Sequence, residues 1–253
     1  MNLERMKGRS VVISGSAFGI GRATASRFAR EGASLVLQDI QSGPLLAFRD
    51  ELRRDGASVE AVVGDVSQAA ACEAMIQTAV EAYGRVDVVV ANAGIIPLGD
   101  VLESTVEDWD KVMAIDGRGM FLTCKYAIEA MLKTGGGSIV CISSISGLAG
   151  QSRQSTYGPA KFVATGITKH PPRHPSLQAS FFQWMVGTAL SNLRIFCRLK
   201  RKSVPAARLS CRLGESNHRA QRHNPAGFIH LEDQTQNIAL DAILHVFLEI
   251  REG

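Results

Sequence analysis

Tyr157 and Lys161 stand at positions i and i+4 of the sequence YGPAK, a spacing that can support proton transfer. Pro159 is tolerated in a first helical turn, so the sequence predicts a helix with both side chains on one face. A phenol titrates near ~10 and is a poor base at neutral pH, but an ammonium beside it favours the phenolate. Ser144, which ends the preceding apolar run, can hold a substrate oxygen beside the phenol. The three groups suit acid–base chemistry at an alcohol or carbonyl oxygen; in isolation the same spacing describes a buried tyrosine and a surface lysine.

A glycine-rich turn near the N-terminus predicts a site for a dinucleotide. Residues 10–14 form a short apolar strand, the sequence GSAFGIG follows at 15–21, and a helical pattern covers 22–32. Between a strand and a helix, such glycines permit a tight turn, close approach of backbone to a pyrophosphate, and close helix packing. The N-terminus of the helix then presents N–H groups to the phosphates. The predicted contact residues are Gly15, Ser16, Phe18, Gly19, Ile20 and Gly21.

The second strand, residues 34–39, ends in an acidic residue that bears on the choice of cofactor. Asp39 follows the glycine-rich turn by about twenty residues, where a carboxylate can accept hydrogen bonds from both ribose hydroxyls of an adenosine. The same carboxylate repels a 2′-phosphate, and neither Phe18 nor Ile40 offers a compensating positive charge. The sequence therefore predicts NAD rather than NADP, with a solvated strand-end aspartate as the alternative.

Five motifs that occur in order over residues 9–169 resemble the short-chain dehydrogenase/reductase family. The resemblance implies that Tyr157 is the acid and base of the reaction. It implies that Lys161 activates Tyr157 and binds the cofactor ribose, that Tyr157 also contacts the cofactor, and that Ser144 anchors the substrate oxygen. The spacing Gly-x3-Gly-x-Gly of the turn is also that of the family, with Ser14 where the family usually has threonine.

The resemblance extends to the ends of the third and fourth predicted strands. The residues concerned are Asp65, Val66, Asn92, Ala93 and Gly94. The first two follow strand 59–63, at the place where the family contacts adenine. The other three follow strand 86–91. The asparagine side chain can tie neighbouring strand ends, and the small residues after it leave room for a ribose.

The sequence departs from the family inside a predicted helix, residues 105–132, that we expect to be broken near Gly117 and Gly119. Asp116 occupies the place of the family's catalytic asparagine. An asparagine side chain donates and accepts hydrogen bonds, whereas an ionised aspartate only accepts them. A carboxylate here would compete for the ammonium of Lys161, so the family's water-mediated relay does not transfer directly. Asp116 is a candidate catalytic residue, with a solvated helix carboxylate as the alternative.

Alternating strands and helices predict an α/β fold, a Rossmann-like doubly wound parallel sheet with helices on both faces. The chain of 253 residues is long enough for one such domain with a sizeable core. Further predicted elements are the strand 137–144 and the helices 45–55, 68–83, with Ser67 as its N-cap, and 157–169.

The composition favours a protein of the cytoplasm. No apolar run reaches the length of about eighteen residues that a membrane span requires, and the charged N-terminus is no secretory signal. The 5 cysteines form no CxxC pair, which suits reduced thiols in a cytosol.

The family pattern ends at residue 169, which divides the predicted chain into a core, 1–169, and a divergent region, 170–253. Prolines directly after His170 end the helix. No sixth strand, no Pro-Gly turn over a nicotinamide, no substrate loop and no seventh strand is recognisable beyond it. An amphipathic helix at about 234–250 is the clearest element of the region.

Three origins of the divergent region stay open. It can be the product of a shifted reading frame or retained intron, and then disordered, or a replaced substrate-binding region, or a basic appendage for nucleic acid. The last is disfavoured because few aromatic residues are present to stack on bases. Zinc is disfavoured because Cys197 and Cys211 are too far apart for the usual ligand spacing of a structural site.

Together the motifs predict an NAD-dependent oxidoreductase that interconverts a secondary alcohol and a ketone by hydride transfer. The alternative is a catalytically impaired dinucleotide-binding protein of the same fold. The predicted partners are a small-molecule alcohol or carbonyl substrate and a second copy of the chain, which would contact helices 105–132 and 155–169. Neither a membrane, nor a metal, nor a nucleic acid is a predicted partner.

Overall fold

The computed structural model describes residues 4–170 and 180–186, in which six parallel strands alternate with six α-helices. The strands are β1 Ser10–Ser14, β2 Ser34–Asp39, β3 Val59–Val63, β4 Val88–Ala91, β5 Ser138–Ser144 and β6 Ser180–Val186. The helices are α1 Gly19–Arg30, α2 Ser42–Arg54, α3 Ala69–Tyr83, α4 Val106–Val112, α5 Met120–Lys133 and α6 Tyr157–Lys169.

The strands form one sheet in the order β3-β2-β1-β4-β5-β6, with every pairing parallel. The chain order reverses between β1 and β4, which is the topological switch point of a doubly wound sheet. Ligands of such sheets bind outside the carboxyl ends of the strands at this point. The predicted Rossmann-like fold class is confirmed.

Helices cover both faces of the sheet, which explains why its strands are continuous apolar runs. On one face α1 and α2 bury Phe28 and Phe48 against β1 and β2. On the other face α3, α5 and α6 bury residues such as Met75 and Met131. Within the described ranges no helix has the length and apolar character needed to cross a bilayer.

Four predicted helix starts differ from the observed ones by one to three residues; helix α2, for example, begins at Ser42 and not at residue 45. Helix α1 begins at Gly19, so the second half of the glycine-rich turn already belongs to its first turn. Helix α3 begins after an N-cap at Gln68, so the prediction of Ser67 as N-cap is wrong. The reason is local: the Asp65 side chain accepts a hydrogen bond from the Ser67 N–H at 2.8 Å, which forms a turn before the helix can start.

The predicted break near Gly117 is a widened helical turn rather than an interruption. Helix α4 starts with a capping box between Thr105 and Asp108 and passes through a π-helical segment, Met113–Gly119, directly into α5. A Cβ on Gly119 would stand 2.9 Å from Val66 Cγ2, so the glycine lets the helix pass close to the end of β3. A π-turn of this kind often lies at a functional site.

The sheet has a sixth strand that the sequence pattern does not predict. Strand β6 pairs with β5 along its whole length, from Ser138 opposite Ser180 to Ser144 opposite Val186. The expectation that no strand follows β5 is therefore wrong, and β5 is an inner strand. Helix α6 ends at Lys169, as the following prolines predict. The predicted helix 234–250 lies outside the described residues.

Candidate active site

The glycine-rich turn lies at the carboxyl end of β1 and leaves no room for side chains on its inner side. A Cβ on Gly21 would stand 2.0 Å from the Gly15 carbonyl oxygen, and one on Gly15 would stand 2.8 Å from Ala93 Cα. Gly19, in contrast, faces open space and adopts a φ of +53°. Phe18 gives α1 no side-chain cap. The open side and the uncapped helix N-terminus fit a pyrophosphate.

Two side chains tie the turn to the end of β4. The Ser14 hydroxyl accepts hydrogen bonds from the backbone N–H groups of Asn92 and Ala93, at 3.0 and 3.1 Å. In return the Asn92 side-chain amide donates to the carbonyls of Ser14 and Gly15, at 3.0 and 2.9 Å. The switch point between β1 and β4 is thereby fixed. The importance of Ser14 is signalled in the sequence only by its place directly before the first glycine.

Asp39 ends β2 beside the glycine-rich turn, as predicted. Its carboxylate accepts from the backbone N–H groups of Ala17 and Gln41, each at 3.0 Å. An ionised carboxylate has about four acceptor positions, so two are left for ribose hydroxyls. Ser16 uses its hydroxyl internally and donates to the Gln38 carbonyl at 3.1 Å.

The structure brings Tyr157 and Lys161 together at the carboxyl end of β5. The Lys161 Nζ lies 5.3 Å from the centre of the Tyr157 ring, one turn further along α6. Lys161 is buried, and its Nζ donates to the Ile142 carbonyl of β5 at 3.2 Å. The ammonium is therefore held at a fixed place beside the phenol ring.

Asp116 lies in the same site, on the π-helical segment. Its Oδ2 is 3.0 Å from Lys161 Nζ, and its Oδ1 accepts from the Ile95 N–H at 2.8 Å. The side chain is fully buried, so the interpretation as a solvated helix carboxylate is wrong. Burial raises the pKa of Asp116, and this effect outweighs the opposing attraction of Lys161.

Ser144 belongs to a small polar network at the end of β5. The Ser146 N–H donates to the Ser144 hydroxyl at 3.2 Å, and the two hydroxyls lie 3.2 Å apart. The Ser146 hydroxyl in turn hydrogen-bonds to the Gln154 side chain. The sequence analysis misses Ser146 and Gln154 because nothing in their spacing indicates this contact.

A second set of contacts locks α6 onto the strand that carries Ser144. The Ser143 hydroxyl donates to the Lys161 carbonyl at 3.1 Å. A Cβ on Gly147 would stand 2.6 Å from the same carbonyl oxygen. The Thr165 hydroxyl, one turn on, donates to the Gly147 carbonyl at 3.0 Å. These contacts hold the backbone of α6 at Lys161, while the Ile142 carbonyl holds the ammonium of the same residue.

The described cysteines are Cys72, Cys124 and Cys141, all of them buried free thiols. In the part of the chain that the structure describes, no group of three or more histidine, cysteine, aspartate or glutamate side chains is placed to hold a metal. Cys197 and Cys211 lie outside that part.

The comparison with protein families agrees with this arrangement. The family model described as short chain dehydrogenase matches residues 9–173, which include every site residue named above. The chain belongs to this family. The match ends at residue 173, close to residue 169, where the family pattern ends in the sequence.

Curated proteins are similar to about two thirds of the chain. A Thermotoga maritima protein named uncharacterized oxidoreductase is 39% identical over 163 residues, which are 64% of each chain. Levodione reductase of Leifsonia aquatica is 37% identical over 169 residues, or 66% of this chain and 63% of that protein. The chain thus matches less than two thirds of the length of these two relatives.

Solved structures of the family superpose on the described fold. A short-chain dehydrogenase/reductase from Burkholderia phymatum in complex with NAD is 31% identical, with a TM-score of 0.67 over 71% of this chain and 66% of that one. A levodione reductase structure is 37% identical, with a TM-score of 0.62 over 65% of each chain. The Rossmann-like architecture derived from the sheet order is therefore that of the family.

Proposed function

We propose that the chain is an NAD-dependent oxidoreductase that interconverts a secondary alcohol and a ketone. The observation that carries the proposal is the buried ammonium of Lys161, held one helical turn from Tyr157 at the carboxyl end of β5. This pair lies on the same edge of the sheet as the glycine-rich turn. An acid–base group and a dinucleotide site at one edge are what hydride transfer to or from an alcohol carbon requires.

The described residues offer a contact for each part of NAD. The open side of Gly19 and the N-terminus of α1 would hold the pyrophosphate. Asp39 would accept from the adenosine ribose, and Asp65 and Val66 would lie along the adenine. When bound, NAD supplies the acceptor for the hydride. The NAD complex of the Burkholderia phymatum relative supports this assignment.

Each side chain at β5 and α6 has its own part in the proposed reaction. Tyr157 accepts the alcohol proton in oxidation and returns it in reduction. Lys161 holds a positive charge beside the phenol and so favours the phenolate. Ser144, placed at the end of β5 by its contact with Ser146, orients the substrate oxygen. The levodione reductase similarity supports a carbonyl compound as substrate class.

A second candidate function is that of a dinucleotide-binding protein with impaired turnover. The observation that favours it is the ion pair between Asp116 and Lys161, because the carboxylate engages the ammonium on which the proposed chemistry depends. Cofactor binding is expected in both cases, so only turnover separates the two candidates.

The test is oxidation of NADH in the presence of a panel of cyclic and open-chain ketones, followed by absorbance, with the reverse reaction on the matching alcohols. Binding of NADH is measured in parallel by fluorescence. Turnover that disappears in Tyr157→Phe supports the oxidoreductase. Binding of NADH without turnover of any substrate in the panel supports the impaired protein, and absence of binding contradicts both.

We also propose that the chain forms a homo-oligomer through the surfaces of α4 to α6. Large apolar side chains are exposed there, among them Val106 and Trp109 of α4, Phe121 of α5 and Phe162 of α6. Exposed apolar residues grouped in this way are typical of protein interfaces. Light scattering coupled to gel filtration checks the proposal, and a monomeric mass at all concentrations contradicts it.

A further inference from the structure

The described site contains a buried, charge-compensated pair in place of a lone ammonium. The Asp116 carboxylate accepts from the Ile95 N–H through one oxygen and lies 3.0 Å from Lys161 Nζ through the other. Lys161 also donates to the Ile142 carbonyl. The carbonyl therefore accepts a hydrogen bond from the ammonium, and the carboxylate lies beside the ammonium as its ion-pair partner.

The groups around Asp116 leave Lys161 as its main electrostatic partner. The loop after β4 contributes the backbone of Gly94 and Ile95, and β5 contributes the Ile142 carbonyl. The Tyr157 ring centre lies 5.3 Å from the ammonium, and the buried Cys141 thiol also interacts with Lys161. The pKa of that thiol is raised, first by its hydrogen bond with Cys124 and then by burial. Among the described residues, no second cation is close enough to Asp116 to shift its charge state noticeably.

Two opposite charges 3.0 Å apart act on a third group almost as a dipole rather than as a full charge. A phenol beside a lone ammonium gives up its proton readily, because the phenolate gains the whole attraction. A phenolate beside the neutralised pair gains only part of this attraction, so the phenol gives up its proton less readily. The identity of residue 116 therefore decides how much of the Lys161 charge reaches Tyr157.

We infer that Asp116 is a positioning residue that neutralises Lys161 and thereby weakens the positive field that Lys161 exerts on Tyr157. The inference rests on the proposed roles of Tyr157 and Lys161 in proton transfer. As a consequence, the chain should oxidise alcohols fastest in alkaline solution. An uncharged side chain at residue 116 should shift the pH of fastest oxidation towards neutral.

The test is an absorbance titration of the phenolate in the full chain, without substrate. The chain has 3 tyrosines, and Tyr157→Phe supplies the baseline for the other two. Burial raises the pKa of Tyr83, which helps to separate its signal. We expect Asp116→Asn to move the Tyr157 midpoint to lower pH by about one unit, a tenfold change in proton affinity. The pH profile of alcohol oxidation should move by the same amount and in the same direction.

The control is Asp55→Asn, which removes a carboxylate from the exposed end of α2 and should leave the midpoint unchanged. An unchanged midpoint in Asp116→Asn, or an equal shift in the control, overturns the inference. If Asp116→Asn does not fold, Asp116→Ser removes the same charge. Carbon-13 NMR of labelled aspartate, with Asp116→Asn to identify the Asp116 signal, shows whether this carboxyl group is ionised near neutral pH in the native chain. An ionised group supports the inference, and a protonated group overturns it. A shifted titration without turnover contradicts the proposed activity and not this inference.

Discussion

The α-carbon of Gly94 faces the Asp116 carboxylate so closely that a Cβ on residue 94 would stand 2.6 Å from Asp116 Oδ2. The same Cβ would stand 3.2 Å from Lys161 Nζ. The loop after β4 therefore reaches the ion pair only because residue 94 has no side chain. Its ordinary φ shows that space, and not backbone conformation, is what requires glycine here.

We expect Gly94→Ala to destabilise the fold by about 1–3 kcal/mol, because the added methyl group must push the ion pair apart. It should also weaken NADH binding, since Gly94 lies beside the proposed ribose site. Urea denaturation and fluorescence titration measure the two effects. The matched control is Gly166→Ala in α6, where a Cβ meets no atom within 4 Å. That variant should be neutral or more stable, and an equal loss in both variants would contradict the steric explanation.

We expect Tyr157→Phe to lower turnover by ~10²–10⁴, the usual contribution of general acid–base catalysis. The ring is kept and only the hydroxyl is removed, so NADH binding should change little. Steady-state kinetics with NADH and a carbonyl substrate measure the effect. Tyr126→Phe on α5 is the control and should keep full activity. Turnover of Tyr157→Phe within twofold of the native chain would assign the proton transfer to another group.

We expect the chain to bind NADH more tightly than NADPH, because the Asp39 carboxylate repels a 2′-phosphate. Asp39→Ala should narrow the difference between the two cofactors. The variant also loses the contacts to Ala17 and Gln41, so some loss of NADH affinity is expected as well. Fluorescence titration of both cofactors is the measurement. Tighter binding of NADPH by the native chain would refute the assignment.

We expect Asp116 to make the free energy of unfolding depend on pH. Burial raises its folded pKa above 3.8, so the folded state holds this proton more tightly than the unfolded state. The contribution of the group is therefore fully present below the unfolded pKa and is lost as the pH rises through the folded pKa. Urea denaturation at a series of pH values measures this free energy. Above pH ~4, the free energy of unfolding should fall less with rising pH in Asp116→Asn than in the native chain. An identical pH dependence in both chains would contradict the raised pKa.

We expect the backbone amides of Ser180–Val186 and those of β5 to exchange slowly with deuterium, because the two strands pair in full register. Hydrogen exchange of the full chain followed by mass spectrometry measures this protection. The exposed loop around Leu102 provides the fast-exchanging reference. Exchange of the β6 amides at the rate of that loop would show that β5 ends the sheet in solution.

The elements that the sequence predicts well are those whose signal is local. The strands at 10–14, 34–39 and 59–63 match their predicted bounds, because each is a compact apolar or β-branched run between turn residues. The Tyr157 and Lys161 pairing follows directly from helical periodicity. Strand β6 is not predicted, although its run SFFQWMV contains aromatic residues, because no family motif surrounds that run.

The contacts that the sequence could not predict depend on groups far apart in the chain. The Ile95 N–H fixes the Asp116 carboxylate, and the Ile142 carbonyl fixes the Lys161 ammonium. Every residue type can supply such backbone groups, so the sequence does not indicate these contacts. The family position of Asp116 predicts that its carboxylate competes for Lys161. It does not predict the complete burial of Asp116, which results from the packing of α6 against the π-helical segment.

The π-helical segment Met113–Gly119 makes the surroundings of Lys161 sensitive to the number of residues in this part of the chain. A π-turn contains one residue more than the α-helical turn it replaces, and it absorbs that residue locally. Loss of a single codon from this segment would let it continue as an ordinary α-helix, so that α4 and α5 keep their mutual orientation while the side chain that faces Lys161 changes. Length variation of one residue is therefore a route, independent of substitution, by which the partner of Lys161 can change.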